Sequence, residues 1–303
     1  MTTLNERIST AAKHPLEPLS EEEITQASTV TKGADQFTGS TRFVYIELAE
    51  PAKDVVAEWT AGSEWDRRAA CLLRDPKVKT TAEVTVSLSR NEVVSWRFVD
   101  GVQPPMMFEE FMACEEAVRN DSRWQDAMRK RGVEDFSLAM IDPWASGYTG
   151  PDDDPAKVRL ARPLTFMRTS EFDNGYARPV EGLIVTVDLD TMTVIDVADH
   201  GVVAFPMMDG NYEPELAFKE NNIGGFTQQR APMKEIRITQ PDGPSFEVDG
   251  HAISWGPWRC RIGFNPREGL TLHDVGYVDK GTLRPVLYRA SLTEMYVPYG
   301  DPA

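Results

Sequence analysis

Two stretches of this chain, "AEVTVSLSRNEVVSWRFVD" (82–100) and "GLIVTVDLDTMTVIDVADH" (182–200), share one hairpin pattern about a domain length apart. Each sets short runs of β-branched and aromatic residues on either side of a polar turn, the pattern of paired antiparallel strands. A hairpin with one apolar face needs a covering layer, and a helix-forming segment precedes each copy. Before the first, "HPLEPLSEEEITQAS" offers Ser20 as helix N-cap and Glu23 three residues on to close a capping box. Before the second, Phe108, Phe111, Met112, Val118, Trp124 and Met128 recur at helical spacing, with Gly132 placed to end the helix. Val84, Val86 and Leu88 fall on one face of their strand.

The predicted fold class is therefore α+β. Two tandem small α+β domains, each one helix on an antiparallel sheet, are expected over 1–100 and 101–206. The loop "IDPWASGYTGPDDDPAK" is rich in Pro, Gly and Asp and reads as exposed. Residues 207–236 lack a sustained period and read as an extended connector. From 237 to 303 about four strand-like segments alternate with turn signals, as at the start of a large β-sandwich. So few strands cannot close a sandwich, so the last is expected to present a bare edge unless further sequence or a partner covers it.

Composition narrows the function. A formal net charge of −16 repels phosphate backbones and argues against nucleic acid as a partner, while it concentrates small cations, protonated amines among them. No apolar run reaches the roughly 18 residues that span a bilayer, and the N-terminus shows no secretory pattern, so a cytoplasmic location without a membrane is expected. Cys71, Cys114 and Cys260 are odd in number and far apart, which fits small buried hydrophobes in a reducing compartment. The four histidines, His14, His200, His251 and His273, form no local metal motif, and each reads as a surface or strand-end residue. No phosphate-binding glycine loop and no nucleophile elbow occurs. Asp301 follows an apolar strand and a Tyr-Gly turn. A carboxylate held there between apolar walls suits proton abstraction from carbon, although Gly-Asp-Pro is also an ordinary turn whose Asp caps its own backbone.

"ITQPDGPSF" (238–246), "IGFNPREGLTLHDVGY" (262–277) and "LRPVLYRASLTEMYVPYGDP" (283–302) resemble the start of the catalytic β-sandwich of the copper-containing primary amine oxidases. "HPLEPLSEEEI" is similar to that family's first small domain, and "EEFMACEEAVRND" with "IDPWASGY" to its second. The resemblance implies oxidation of primary amines by dioxygen to aldehydes, ammonia and hydrogen peroxide, with copper and a topaquinone made from one of the family's own tyrosines. It assigns proton abstraction to Asp301, gating of the substrate channel to Tyr299, and channel lining to Phe111, Trp144 and Tyr176. As bare residues the last three equally suit a packed core or a loop.

The family's cofactor tyrosine and its three copper histidines lie beyond the proton-abstracting aspartate. Asn211-Tyr212-Glu213 has the cofactor motif's letters but precedes the sandwich, so it reads as a chance match and Tyr212 is expected to stay tyrosine. These residues form the N-terminal portion of such an oxidase on this reading, whose whole is a homodimer. By themselves they are expected to bind no catalytic copper and to oxidise nothing. A different class stays open: a non-catalytic binding or interaction protein, or one half of a split oxidase that pairs with a chain carrying the missing catalytic part.

Overall fold

The computed structural model describes residues 14–146, 158–292 and 295. The chain gathers into two compact units: one holds the chain up to Arg74, Ala82–Phe98 and Arg237 onward, the other Asp75–Thr81 and Val99–Ile236.

In the first unit, helix α1 (Glu21–Lys32) starts where its capping box requires. Glu23 Nα–H donates to Ser20 Oγ (3.3 Å), and Ser20 N–H donates back to Glu23 Oε2 (2.8 Å). The helix is followed by an antiparallel meander of β1 (Arg42–Leu48), β2 (Arg68–Asp75), β3 (Thr80–Ser87) and β4 (Glu92–Val99), in that spatial order, with a short α2 (Lys53–Glu58) between the first two strands. Ala27 of α1 packs with Ala69, Cys71, Leu73, Val84, Val86 and Leu88 of the sheet, so the predicted inward face of β3 is the buried one. The same unit holds a second meander of five strands.

The second unit contains α3 (Phe108–Asn120), α4 (Ser122–Lys130), the antiparallel pair β5 (Ala139–Asp142) and β7 (Leu164–Met167), and a sheet of β6 (Leu160–Ala161), β8 (Leu183–Asp188) and β9 (Thr193–Asp199) in the order β6-β8-β9. The single helix expected here is two. Asp121 adopts an extended conformation and its carboxylate accepts from the N–H groups of Arg123 and Trp124, ending one helix and capping the next. The inward face is also displaced from the expected one: Phe108 and Met112 are 79% and 55% exposed, whereas Cys114, Val118, Trp124 and Met128 are buried. Glu110 is the cause, because an ion pair draws it inward and sets the rotation of α3.

That ion pair repeats one from the first unit. Arg67 donates from Nε and Nη2 to the Glu23 carboxylate (2.6 and 3.0 Å) and from Nη2 to the carbonyls of Glu17 and Pro18 (2.9 and 3.1 Å). Arg159 donates from Nε and Nη2 to Glu110 (2.8 Å each), from Nη1 to the carbonyl of Pro104 (2.8 Å) and from Nη2 to that of Pro105 (3.0 Å). Both carboxylates also accept from the backbone at their helix start, Ser20 N–H and Met107 N–H. Leu88 N–H donates to Arg67 O and Leu189 N–H to Arg159 O, each at 2.8 Å. The expected duplication thus extends to a buried guanidinium that ties a proline-containing leader, a helix start and a strand end together.

The connector is only partly extended. Asp209 and Asn222 form a bridge, α5 (Pro214–Ala217) fills the bend, and Asn211 and Asn222 clasp each other through Asn211 N–H to Asn222 Oδ1 (2.8 Å) and Asn222 Nδ2 to Asn211 O (2.7 Å). A Cβ on Gly210 would lie 2.8 Å from the Ala177 Cβ, so this close approach requires glycine.

The five-stranded meander of the first unit runs β10 (Phe246–Asp249), β11 (Ala252–Trp255), β12 (Trp258–Asn265), β13 (Gly269–Asp279) and β14 (Thr282–Ser291), each pairing with the next. "HAISWGPWRCRIGFN" reads as one segment in sequence but folds at Gly256 (φ +54°) into β11 and β12, which makes five strands where four were expected. Among the described residues β10 and β14 are the sheet's edges.

Replacing Glu110 by Gln leaves the buried Arg159 charge short of its counter-ion. Urea unfolding of the second unit is expected to show a loss of about 3–5 kcal/mol, while the double replacement Glu110→Leu/Arg159→Met recovers part of it.

Candidate functional site

Two arrangements of functional side chains stand out, one in each unit. In the second unit β5 ends at Asp142, two residues before Trp144, and Tyr176 lies on a short turn (Gly175–Ala177) that follows β7. Both aromatic side chains donate to one oxygen: Trp144 Nε1 and Tyr176 Oη each lie 3.2 Å from Asp142 Oδ2. The Tyr176 ring meets Phe166 edge-on at 4.9 Å. Trp144 and Tyr176 remain 59% exposed, so the cluster is an open aromatic surface around a carboxylate. The Asp142 charge beside Tyr176 raises the phenol's pKa, with smaller contributions from burial and from the hydrogen bond itself. Aromatic faces and a carboxylate together attract organic cations.

The structure therefore brings Trp144 and Tyr176 together and adds Asp142, which lies inside the "IDPWASGY" motif but was not singled out by sequence. Phe111 is half-buried on α3 and takes no part in the bonds that join the other two. Tyr299 and Asp301 lie outside the described residues.

In the first unit the chain just after β1 faces β12–β14. Glu50 accepts from His273 Nε2 (3.0 Å) and from Arg289 Nε (2.9 Å to Oε2). Arg289 also pairs with Glu268 through Nη1 (3.2 Å) and Nη2, and Arg267 Nη2 donates to Glu268 Oε1 (3.0 Å). His273 is 2% exposed, which corrects the expectation of a surface or strand-end histidine. Its strand supplies the reason: Thr271 and His273 alternate onto the inward face of β13, a period-two signal present in "LTLHDVGY". The Arg289 bonds hold the Glu268 carboxyl down at about 2. For Glu50, burial pushes upward, but the bonds from His273 and Arg289 outweigh it and hold the group below the usual carboxylate range.

Nucleophile and metal chemistry find little footing. Burial pushes the Cys71 thiol up to about 11 and the Cys114 thiol up to about 12, so neither supplies a thiolate. Among the described residues no three His, Cys, Asp or Glu side chains are grouped to hold a metal ion. Tyr212 is 76% exposed, next to an Asn211 whose side chain is bonded to Asp173 (2.9 Å) and to the backbone of Asn174 (2.8 Å). The described residues do not fit a copper centre.

Comparison with known proteins agrees with this architecture. Residues 20–96 match the profile of the AGAO-like N2 domain, 109–213 that of the copper amine oxidase N3 domain, and 247–303 that of the copper amine oxidase enzyme domain. A primary amine oxidase of Arthrobacter sp. (strain P1) is 40% identical over 96% of this chain and 43% of its own length. The peroxisomal N-methylputrescine oxidase 1 of Nicotiana tabacum is 37% identical over 95% of this chain and 41% of its own. The histamine oxidase of Arthrobacter globiformis is 36% identical, covering 97% and 42%. Among solved structures, a copper-containing benzylamine oxidase from Hansenula polymorpha superposes with a TM-score of 0.78 at 24% identity, over 96% of this chain and 46% of that one, a likeness of fold.

The mixed α/β architecture and the three matches define a chain assembled from oxidase domains. It belongs to the copper amine oxidase family. The chain spans less than half the length of these curated relatives.

Two outcomes follow from the site's electrostatics. Asp142→Asn is expected to lower the Tyr176 pKa toward its ordinary value, read as the difference between phenolate absorbance titrations with and without Tyr176→Phe. In the first unit, burial, with the positive charges of Arg261 and His273, brings His14 from 6.5 down to about 4, and its Nδ1 accepts from Leu16 N–H (3.2 Å). The unfolded chain therefore binds more protons between those values, and stability falls as pH drops from 6.5 to 4. Glu268 adds a second loss as pH drops from 4.5 to about 2. Hydrogen-exchange protection of α1 and β1 is expected to fall in those two steps, and His14→Asn to remove the upper one.

Proposed function

We propose that this chain serves a primary-amine oxidase that converts a primary amine, dioxygen and water into an aldehyde, ammonia and hydrogen peroxide. The observation that carries the reading is the succession of three amine-oxidase domain matches along one chain, together with relatives named for oxidation of primary amines and histamine. Trp144, Tyr176 and Asp142 would receive the substrate ammonium at an aromatic surface that carries a negative charge. Phe111 would line the same approach. Tyr299 would control entry, and Asp301 would take the proton from the carbon that bears the amine. A carboxylate that draws its proton from carbon acts as a general base, an effect worth roughly 10²–10⁴-fold in rate.

Copper and topaquinone would be supplied by parts of the oxidase other than the residues described here, none of which forms a metal-binding group. The whole enzyme would be a cytoplasmic homodimer. Unpaired Cys71, Cys114 and Cys260 suit a reducing location. The alternative of a split oxidase gains support from the apolar residues exposed on the five-stranded sheet, Phe264, Leu270, Leu283 and Val286 among them, which suit a covering chain.

Incubated with Cu(II) under air, the chain by itself is expected to develop no quinone absorbance and no peroxide from phenethylamine or histamine. Joined to the remaining portion of the Arthrobacter primary amine oxidase, it is expected to produce amine-dependent peroxide, and Asp301→Asn to lower that rate by roughly 10²–10⁴-fold. A folded, copper-loaded fusion without turnover, or one indifferent to Asp301→Asn, defeats this assignment.

A further inference from the structure

Beyond the Asn211–Asn222 clasp the connector changes character. Every residue from 223 to 250 is exposed, and strand β10 does not begin until Phe246. Within this span, residues 226–234 ("FTQQRAPMK") adopt neither helix nor strand and make no hydrogen bond or ion pair among the described residues. Met233 is 81% exposed, so even an apolar side chain of the stretch finds little cover. Arg230 stands in its middle.

An endoprotease draws several residues of its substrate into its cleft in extended form. A bond inside a helix, a strand or a tight turn is therefore cut only after local opening, with the free energy which that opening costs. Arg97 in β4, Arg129 in α4, and Lys77 and Lys280 in the turns that join β2 to β3 and β13 to β14 all carry that cost. Arg230 carries none, because its backbone has no bonds to break. Of its basic neighbours, Lys234 is followed at once by the acidic Glu235, and Arg237 is engaged in an interaction of its own. The residue after Arg230 is Ala231, small and uncharged.

We propose that the Arg230–Ala231 bond is a processing site for an endoprotease that cleaves after basic residues, and that the cleaved protein persists as a two-chain particle. Water adds across the peptide bond, so that Arg230 gains the carboxylate and Ala231 the new amino group, with no other reactant. The cut lies outside both neighbouring domain matches, which end at 213 and begin at 247. Within the first unit the two pieces stay joined by side chains. Glu17 pairs with Arg261 (3.0 Å), Glu50 with His273 (3.0 Å) and with Arg289 (2.9 Å), and Lys53 Nζ lies 5.2 Å from the centre of the Tyr288 ring. Each of these contacts links a residue before the cut to one after it. The proposal is independent of the oxidase reading, since it is measured by cleavage and association and needs no turnover.

Brief digestion of the intact chain with trypsin, read by mass spectrometry under denaturing conditions, tests it. At early times a new C-terminus at Arg230 and a new N-terminus at Ala231 are expected, and Arg230→Gln is expected to abolish both while cuts elsewhere continue. On a native size-exclusion column the two pieces are expected to elute together at the position of the uncut chain, and to part in urea. The double variant Glu17→Gln/Glu50→Gln is expected to be cut at the same bond but to release the piece that begins at Ala231. Elution of the uncut variant beside the uncut parent checks its fold, and co-elution of the parent's own pieces stands without it. Survival of the Arg230–Ala231 bond while helix or strand sites are cut, as when a second copy of the chain covers the connector, overturns the proposal. Separation of the parent's pieces on the native column, or pieces of the folded double variant that stay together, overturns the two-chain particle held by these contacts.

Discussion

A guanidinium removed from water must find both a counter-ion and acceptors for its remaining hydrogens, and Arg67 and Arg159 meet that demand in the same way. Each takes a helix-start carboxylate through Nε and Nη2 and also donates to two carbonyls of the preceding leader. Helix, leader and strand end are then fixed by one side chain. The inward turn of Glu110, and with it the outward turn of Phe108 and Met112, follows from this. Much of the geometry of both small α+β layers depends on these two arginines.

The two candidate sites illustrate different uses of a carboxylate. Asp142 is shared by two aromatic donors at the surface and stays open to solvent cations. Glu50 is shared by His273 and Arg289 in a half-buried cleft, where bonds from both outweigh the cost of burial. Glu47, three residues away, meets the same burial without such partners, which is why the two glutamates shift in opposite directions.

Much of this was legible in the residues. The capping box at Ser20 and Glu23, the inward trio Val84, Val86 and Leu88, and the helix end at Gly132 (φ +80°) all follow from local rules and stand as expected. Local rules fail where a distant partner decides. Helical spacing assigned Phe108 and Met112 to the inner face because nothing nearby marks Glu110 as the partner of Arg159, 49 residues on. His273 escaped notice because its partner Glu50 is 223 residues away. Asp142 lies in a stretch rich in Pro, Gly and Asp that reads only as an exposed loop, and its value lies in Tyr176, brought close only by the fold. The fold of the connector was hidden too, since the Asn211–Asn222 clasp leaves no periodic trace.

The arginine clasps bear on how either small layer can be cut out as a portable module. Pro18 and Pro105 look like dispensable linker in sequence, yet their carbonyls complete the coordination of a buried cation. An excision that begins at the helix start would strand Arg67 or Arg159 with unmet donors, so a workable boundary lies upstream of Pro15 in one case and of Gln103 in the other.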